Sequence, residues 1–508
     1  MADEQDSSTL YTVELVLENE AAMIRFAEDI ALALAKGDLV TLKGDLGAGK
    51  STLARAIIRT IANDDFYEVP SPTFTLVQSY PELRLPIAHT DLYRLSSPEE
   101  LDELGLDEAL ESGAVLVEWP QQGEGVLPAS TIAITIDHEG DGRRLMMEVT
   151  AKAARRISRS LGIRSFLGKS GRHNVSRRYL LGDASPRGYE LITSDSGTEI
   201  LMNAPAMPYD PPVKDGRPYR QIAHLAENMD AFVAMNRLLS EKGFRVPEMR
   251  AINLDRGFLL MEHLGTEGVL DSEGKPLAER YIAAARMLAH LHQYDWPQDI
   301  TISEDRTHHL HMFDRDAMLI EAELLPVWYL PYVQGEPASA DQTQSFEQAW
   351  DSVFKNLENA EYNLLMRDYH SPNILWQEKA EGIDRLGMID FQDAMIGPSA
   401  YDLASLAMDA RVTIADELQD QIVAAYCDER RKLAKDFDEE AFRSAYAIMA
   451  AQRNTKILGI FVRLFKRDGK PAYLQHLPRI QAYAARALQH PALARLRKWY
   501  QENGLLQD

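Results

Sequence analysis

An α/β chain built from two unlike domains is predicted by three observations. Apolar residues 39–42 run into Gly44-Asp45-Leu46-Gly47-Ala48-Gly49-Lys50-Ser51, a complete G-x-x-x-x-G-K-[ST] loop. Far downstream, Arg367-Asp368-Tyr369-His370-Ser371-Pro372-Asn373 precedes an apolar strand ending in Ile389-Asp390, the D-x-x-x-x-N plus metal-binding Asp pattern of kinase-like folds. Between them the charge composition switches abruptly. The first pattern predicts a P-loop NTPase domain, the second a two-lobed protein-kinase-like (α+β) phosphotransferase domain. Those scaffolds are unrelated, so the chain reads as a fusion of two enzymes.

The elements of the first domain follow in order. Residues 11–17 alternate as a strand does, and 21–35 have helical apolar spacing. Residues 39–42 form the strand into the glycine loop, and Lys50–Ala62 the helix after it. Strands are expected at 73–77, 85–89 and Ala114–Glu118, with an acidic helix at 98–110. Residues 132–136 and 145–149 frame Glu139-Gly140-Asp141-Gly142 as a closing hairpin. Strands alternating with helices imply a largely parallel central sheet over residues 1–150.

No acidic residue lies between Glu148 and Asp183, but nine basic ones do: Lys152, Arg155, Arg156, Arg159, Arg164, Lys169, Arg172, Arg177 and Arg178. This stretch, 151–178, is read as a basic linker. One reading makes it a patch for RNA or another polyanion. The favoured one makes it an amphipathic helix with Ile157, Leu161 and Phe166 docked on the acidic first domain. From 179 the pattern restarts. Strands at 179–181, 189–193, 199–202 and 257–262 and a helix at 227–242 make a small lobe (179–264). A large, mostly helical lobe (265–508) ends in a long helical run over 438–503.

Bulk composition bounds the setting. A chain of 508 residues is too long for one core. No apolar run is long enough to span a bilayer, and the start, MADEQDSSTL, is unlike a secretory or transit signal. The single cysteine, Cys427, excludes an intramolecular disulfide framework and a cysteine-rich zinc site. The expected compartment is the cytoplasm. Residues 1–150 hold 10 Lys and Arg against 28 Asp and Glu, a charge of −18, and the other 358 residues carry −6. Such acidity repels phosphate backbones, so no direct sequence-specific nucleic-acid binding is expected of that part. Solubility alone is an equally compatible reason for it.

In the first motif the glycines let backbone N–H groups converge on phosphates at a helix N-terminus. Lys50 adds a point charge, and the Ser51 hydroxyl is a Mg²⁺ ligand. Glu118 ends a buried strand, as a Walker-B carboxylate does. With SPTFTLV at 71–77, HTDLYRL at 89–95 and VEWP at 117–120 following in order, residues 10–150 resemble the TsaE family, ATPases of tRNA threonylcarbamoyladenosine biosynthesis. The resemblance implies ATP hydrolysis in the service of partner subunits of the TsaB/TsaD type. It places nucleotide and metal at Gly44–Thr52 (Lys50, Ser51 and Thr52 above all) and makes Glu118 the metal-side or water-activating acid. Asp91 becomes a second functional acid, with a turn or helix N-cap as its plainer alternative. The same resemblance has Thr73 in a segment sensing the γ-phosphate and Trp119 beside the nucleotide. Gln121 stands where some relatives carry a carboxylate.

In the second motif Asp368 can accept the proton of an attacking hydroxyl, while Asn373 and Asp390 can hold Mg²⁺ against ATP phosphates. GDASPRGYEL at 182–191, ILMNAP at 200–205, GFLLMEHLG at 257–265 and IDFQDAMIGPSAYDLASL at 389–406 resemble the aminoglycoside/choline phosphotransferase superfamily. Within it they are most similar to AmgK-type anomeric kinases of N-acetylmuramate and N-acetylglucosamine. That implies a phosphate-covering turn at Asp183, Ala184 and Ser185 and an adenine hinge at Glu262, His263 and Leu264. Asp393 either binds substrate or braces the loop, Arg187 either grips phosphate or is solvated, and Asp402 fixes the catalytic loop from below. Met366 replaces a customary loop-bracing His, and ILMNAP lacks the phosphate-gripping lysine of protein kinases. The alternatives are another small hydroxyl substrate (an aminoglycoside, choline or homoserine) or an inactive nucleotide-binding regulatory module. His308, His309 and His311 are read as structural or solvent-facing.

Overall fold

The computed structural model describes residues 10–95, 97–180, 187–206 and 210–506, and divides into two compact units. The first comprises Met1–Ala204 with Met249–Glu262, the second Pro205–Glu248 with His263–Asp508.

The first unit opens with β1 (Leu10–Leu17), α1 (Glu20–Ala31), β2 (Leu39–Lys43) and α2 (Lys50–Ala62). Asn19 caps α1, its side chain accepting the Ala22 N–H at 2.9 Å. Next come β3 (Val77–Tyr80), β4 (Ile87–Asp91), α3 (Leu106–Ser112), β5 (Ala114–Glu118), β6 (Ile132–Glu139) and β7 (Gly142–Thr150). Seven strands form one sheet in the order β1-β7-β6-β2-β5-β4-β3, parallel from β6 through β4 and antiparallel at both edges. Both faces are covered, so alternate residues of one strand enter different cores. Val40, Leu42, Ala114 and Leu116 pack with α1 and α2, whereas Leu39, Val115 and Val117 pack with Leu92, Leu101 and Leu106.

Two expected elements differ. Residues 73–77 are not a strand; the edge strand begins at Val77, and Thr73 sits in the turn before it. The helix expected at 98–110 is broken at Gly105, whose φ of 65° suits glycine, into a 3₁₀ segment (Pro98–Leu104) and α3.

The basic stretch is not a free linker. Most of it is α4 (Ala151–Lys169), whose Ala153 and Ile157 complete the first sheet's core, with Leu161 packed against it. Ile163, Phe166 and Leu167 enter a different core with Val175, Ile192, Leu201, Phe258 and Leu260. Phe166 therefore docks on the second sheet rather than the first. That sheet contains β8 (Ser176–Leu180), β9 (Gly188–Ser194), β10 (Gly197–Asn203) and strands Phe258–Glu262 and Met249–Asn253, paired in that order. Several of the basic side chains meet acids of the first domain. Arg156 grips Asp38 with two hydrogen bonds of 2.8 Å, Arg164 meets Glu28 and Asp29, and Arg178 meets Glu28 at 2.7 Å. These pairs occupy part of the charge that the polyanion-patch reading requires, while Lys152, Arg155 and Lys169 are exposed.

In the second unit the helix Asp230–Glu241, expected at 227–242 in the small lobe, groups with the large lobe. The expected C-terminal run is broken at Gly469 (φ 65°), Pro471 and Pro491 into helices Glu439–Asp468, Leu477–Ala487 and Ala494–Glu502. Two short antiparallel ladders set the catalytic segment: Tyr362–Leu365 with Met395–Pro398, and Ile374–Trp376 with Leu386–Met388.

Candidate active sites

The first site forms at the carboxyl end of β2, where β5 lies on one side and β6 on the other. Open α/β sheets bind ligands at such a position. Gly49 begins α2 at φ 110°, and a Cβ at Gly44 would sit 2.5 Å from the Ile136 carbonyl oxygen, so both positions require glycine. Lys50 is buried, and its Nζ donates to the carbonyls of Gly44 (2.8 Å) and Asp45 (2.9 Å) and lies 3.6 Å from the Trp119 ring centre. Burial lowers the pKa of its ammonium, while Glu118, Asp91 and Asp45 pull the other way.

Parallel pairing sets Asp91 of β4 beside Glu118 of β5. Ser51 Oγ donates to Glu118 Oε2 at 2.7 Å, and His89 Nε2 lies 2.9 Å from Glu118 Oε1. Asp91 Oδ2 accepts from Thr73 Oγ1 at 2.8 Å, and its Oδ1 accepts the Tyr93 N–H at 3.0 Å, so the carboxylate also caps a short turn. Trp119 adopts φ 59° with its ring 5.0 Å from that of Tyr93.

Two participants went unassigned at sequence level. His89 lies on the same face of β4 as Asp91, two residues earlier, a period-2 signal inside HTDLYRL. Arg143 donates from Nε to Ala48 O (2.8 Å) and from Nη2 to Gly47 O (3.3 Å), bracing the phosphate loop from β7; nothing local in the sequence marks it.

In the second unit the ladder Ile374–Trp376/Leu386–Met388 brings the residue before one strand beside the residues after the other. Ile389 N donates to Asn373 O at 3.1 Å, and Asn373 Nδ2 lies 3.5 Å from Asp390 Oδ2 while donating to the Asp368 carbonyl at 2.9 Å. Gln392 Nε2 donates to Asp390 Oδ1 at 2.8 Å. Arg367 (φ 71°) and Asp390 (φ 62°) hold left-handed backbone that non-glycine residues seldom adopt, a strain concentrated beside the motif residues.

Asp402, fully buried, accepts the backbone N–H groups of Met366 and Arg367, which fixes the loop from below. Burial raises its pKa to about 7, against the lowering effect of those two bonds. Arg367 donates to Ala223 O (2.8 Å) and pairs with buried Glu321, which also meets Lys456 Nζ at 2.7 Å. Asp409 accepts the N–H groups of Ser371 and Arg411, both at 2.8 Å.

The remaining sequence candidates are distributed as follows. Asp393 Oδ1 accepts the Ala226 N–H at 2.6 Å. Glu262 ends its strand in the first unit; His263 Nδ1 accepts from Gly265 N, and Leu264 O accepts from Gln377 Nε2 at 2.7 Å. Asp183, Ala184 and Ser185 lie outside the described residues, and Arg187 just after them is partnered. His311 stacks on His224 with ring centres 4.5 Å apart, and His309 pairs with Asp299. Among the described residues no group of three or more His, Cys, Asp or Glu is arranged to hold a metal ion.

The family of the threonylcarbamoyl adenosine biosynthesis protein TsaE matches residues 17–146, and the phosphotransferase enzyme family matches residues 176–435. The chain belongs to both. Its TsaE domain is 38% identical over 136 residues to the tRNA threonylcarbamoyladenosine biosynthesis protein TsaE of Rickettsia felis, covering 27% of this chain and 79% of that protein. The Haemophilus influenzae protein of the same name is 38% identical over 135 residues, 25% of this chain and 84% of the relative. The phosphotransferase domain is 31% identical over 347 residues to the N-acetylmuramate/N-acetylglucosamine kinase of Caulobacter vibrioides, covering 66% of this chain and 94% of that kinase. The protein is thus an enzyme with an ATPase domain and an ATP-using phosphotransferase domain. Among the described residues no helix is long and apolar enough to cross a membrane.

Proposed function

We propose that the chain is a bifunctional cytoplasmic enzyme. Its TsaE domain hydrolyses ATP for tRNA threonylcarbamoyladenosine formation with TsaB/TsaD-type partners. Its phosphotransferase domain phosphorylates the anomeric hydroxyl of N-acetylmuramate or N-acetylglucosamine. The observation that carries the second part is the convergence of Asp368, Asn373 and Asp390 on one loop end, joined through the Asn373 amide.

Mg²⁺ fits both sites by donor chemistry. Each offers a carboxylate and a neutral oxygen donor (Glu118 with the Ser51 hydroxyl, Asp390 with the Asn373 amide), the sparse hard-oxygen set this ion takes beside phosphates. When bound it supplies positive charge to the ATP phosphates. In the TsaE domain, Lys50 and the loop N–H groups of residues 44–52 hold the phosphates, Thr52 helps at the start of α2, and Glu118, steadied by His89, orients Ser51. Asp91 holds Thr73 at the same edge as a second acid. In the other domain Asp368 takes the proton of the sugar hydroxyl as it attacks, and Asp402 keeps its backbone in place. Residues 183–185, Arg187, 262–264 and Asp393 complete the assignment as nucleotide- or substrate-side groups.

The test incubates the full-length chain with ATP and each sugar and follows sugar phosphate by ³¹P NMR. Absence of an anomeric phosphate from both sugars would sink the kinase reading. For the TsaE part, a strain lacking its own TsaE should regain modified tRNA when it expresses this chain, and no recovery removes that assignment.

A further inference from the structure

Helix Glu439–Asp468 buries a run of polar side chains, Gln452-Arg453-Asn454-Thr455, followed by half-buried Lys456, within the second unit. Two of the cations near the catalytic loop are neutralised: Arg367 and Lys456 share Glu321. Arg453 is not. It is 5% exposed, its Nη1 is buried without a hydrogen-bond partner, and no carboxylate of a described residue pairs with it. Glu321 is already committed to two cations and to Gln452, and both Asp402 oxygens are taken by backbone N–H groups. A buried guanidinium with no carboxylate in hydrogen-bonding contact is costly, and an anionic ligand that pairs with it relieves that cost.

The surroundings identify the ligand. Arg453 and Asp368 act electrostatically on the same three groups, His370, Tyr401 and Asp402. Asp368 is the residue that meets the acceptor hydroxyl in the proposed function, whereas Asn373 and Asp390 would hold the ion that supplies charge to the phosphates. Arg453 thus shares its surroundings with Asp368, the acceptor-side residue of that reading. Guanidinium matches a carboxylate with two parallel hydrogen bonds, a geometry that a lysine cannot reproduce.

We propose that Arg453 is a specificity-determining residue that binds the carboxylate of an acidic sugar while its anomeric hydroxyl is presented to Asp368. The inference rests on the proposed sugar-kinase function and narrows it, since N-acetylmuramate carries a carboxylate and N-acetylglucosamine does not. The shared chemistry, an anionic oxygen pair, could also come from the transferred phosphoryl group, and the test separates the two.

kcat and KM are measured for both sugars with the full-length chain and with its Arg453→Gln and Arg453→Lys variants. Loss of a charge-assisted contact should lower the N-acetylmuramate to N-acetylglucosamine ratio of kcat/KM by at least about tenfold in Arg453→Gln, chiefly through KM. Arg453→Lys should recover part of the ratio. An unchanged ratio overturns the proposal, and an equal fall in kcat on both sugars assigns the cation to the phosphoryl group instead. A measurement on the wild type guards against a variant that fails to fold: the methyl ester of N-acetylmuramate, which lacks the charge, should show a KM raised at least about tenfold, and an equal KM overturns the inference. If the wild type phosphorylates neither sugar, the proposed function fails. The Arg453 site is then read by calorimetric titration of N-acetylmuramate, where equal binding by wild type and Arg453→Gln overturns it separately.

Discussion

Arg177 Nη1 lies 2.6 Å from Asp29 Oδ1, an ion pair that ties the first strand of the second sheet to a helix flanking the first. The same guanidinium, fully buried, makes a two-pronged pair with Glu190 at 2.7 and 2.8 Å. Two carboxylates from different parts of the unit thus share one cation, and Asp29 also meets Arg164. Arg177→Met should destabilise the first unit by about 3–5 kcal/mol, because Glu190 would be left buried without its cation and Asp29 with Arg164 alone. Urea unfolding followed by tryptophan fluorescence measures it, and a loss below about 1 kcal/mol, the scale of an exposed pair, would contradict the reading. The same network argues against cutting the chain between residues 149 and 171. Such a cut separates Glu28 and Asp29 from Arg177, and both fragments should be digested by protease faster than the intact chain.

Lys50→Ala should abolish ATP hydrolysis by the TsaE domain, because the phosphate loop loses its cation. His89→Gln should be milder, lowering ATPase activity by about 10–100-fold, the usual effect of releasing a residue that orients a functional acid. Steady-state ATPase assays of the full-length chain with the phosphotransferase site inactivated by Asp368→Asn check both. An unaffected His89→Gln rate would leave His89 a packing residue only.

Asp368→Asn should leave ATP binding nearly intact and reduce sugar phosphorylation by at least about 10²-fold, the scale of a lost general base. Asp390→Asn should act differently, weakening Mg²⁺-dependent nucleotide binding. Titration with a fluorescent ATP analogue, with and without EDTA, distinguishes them. Equal nucleotide affinities in the wild type and Asp390→Asn would remove Asp390 from the metal-side role.

Glu321 predicts a pH dependence. Burial works against its ionised form, yet Arg367, Lys456 and Gln452 hold its pKa down at about 2, below the ordinary value of 4.5. The folded carboxylate keeps its charge where the unfolded one takes up a proton. Its stabilising contribution is therefore complete above pH 4.5 and disappears as the pH falls from there towards 2. Denaturant midpoints between pH 7 and 3 should fall more steeply for the wild type than for Glu321→Gln, which lacks the titrating group and is less stable at neutral pH. Parallel profiles would show that the group does not titrate this way.

The sequence by itself determined what local chemistry encodes. Glycine at positions 44 and 49 and lysine at 50 specify a phosphate loop because only those residue types fit its backbone and charge. The D-x-x-x-x-N spacing specifies a loop that returns Asn373 to the backbone of Asp368. Apolar runs, with alternation at 11–17, also marked most strands of the first sheet. Tertiary structure alone decided what depends on partners remote in sequence. The link from His89 to Glu118 crosses 29 positions, and that from Arg367 to Glu321 crosses 46. Residues 151–178 carry no acid, so composition suggested a linker. Their counter-charges Glu28, Asp29 and Asp38 lie on the other side of the first domain's sequence and only folding brings them together. The same holds for Arg453: an arginine in an amphipathic helix is unremarkable in sequence. Burial beside the catalytic loop leaves its guanidinium without a paired carboxylate, and in a medium of low polarity a cation's surroundings rather than its identity set what it must bind.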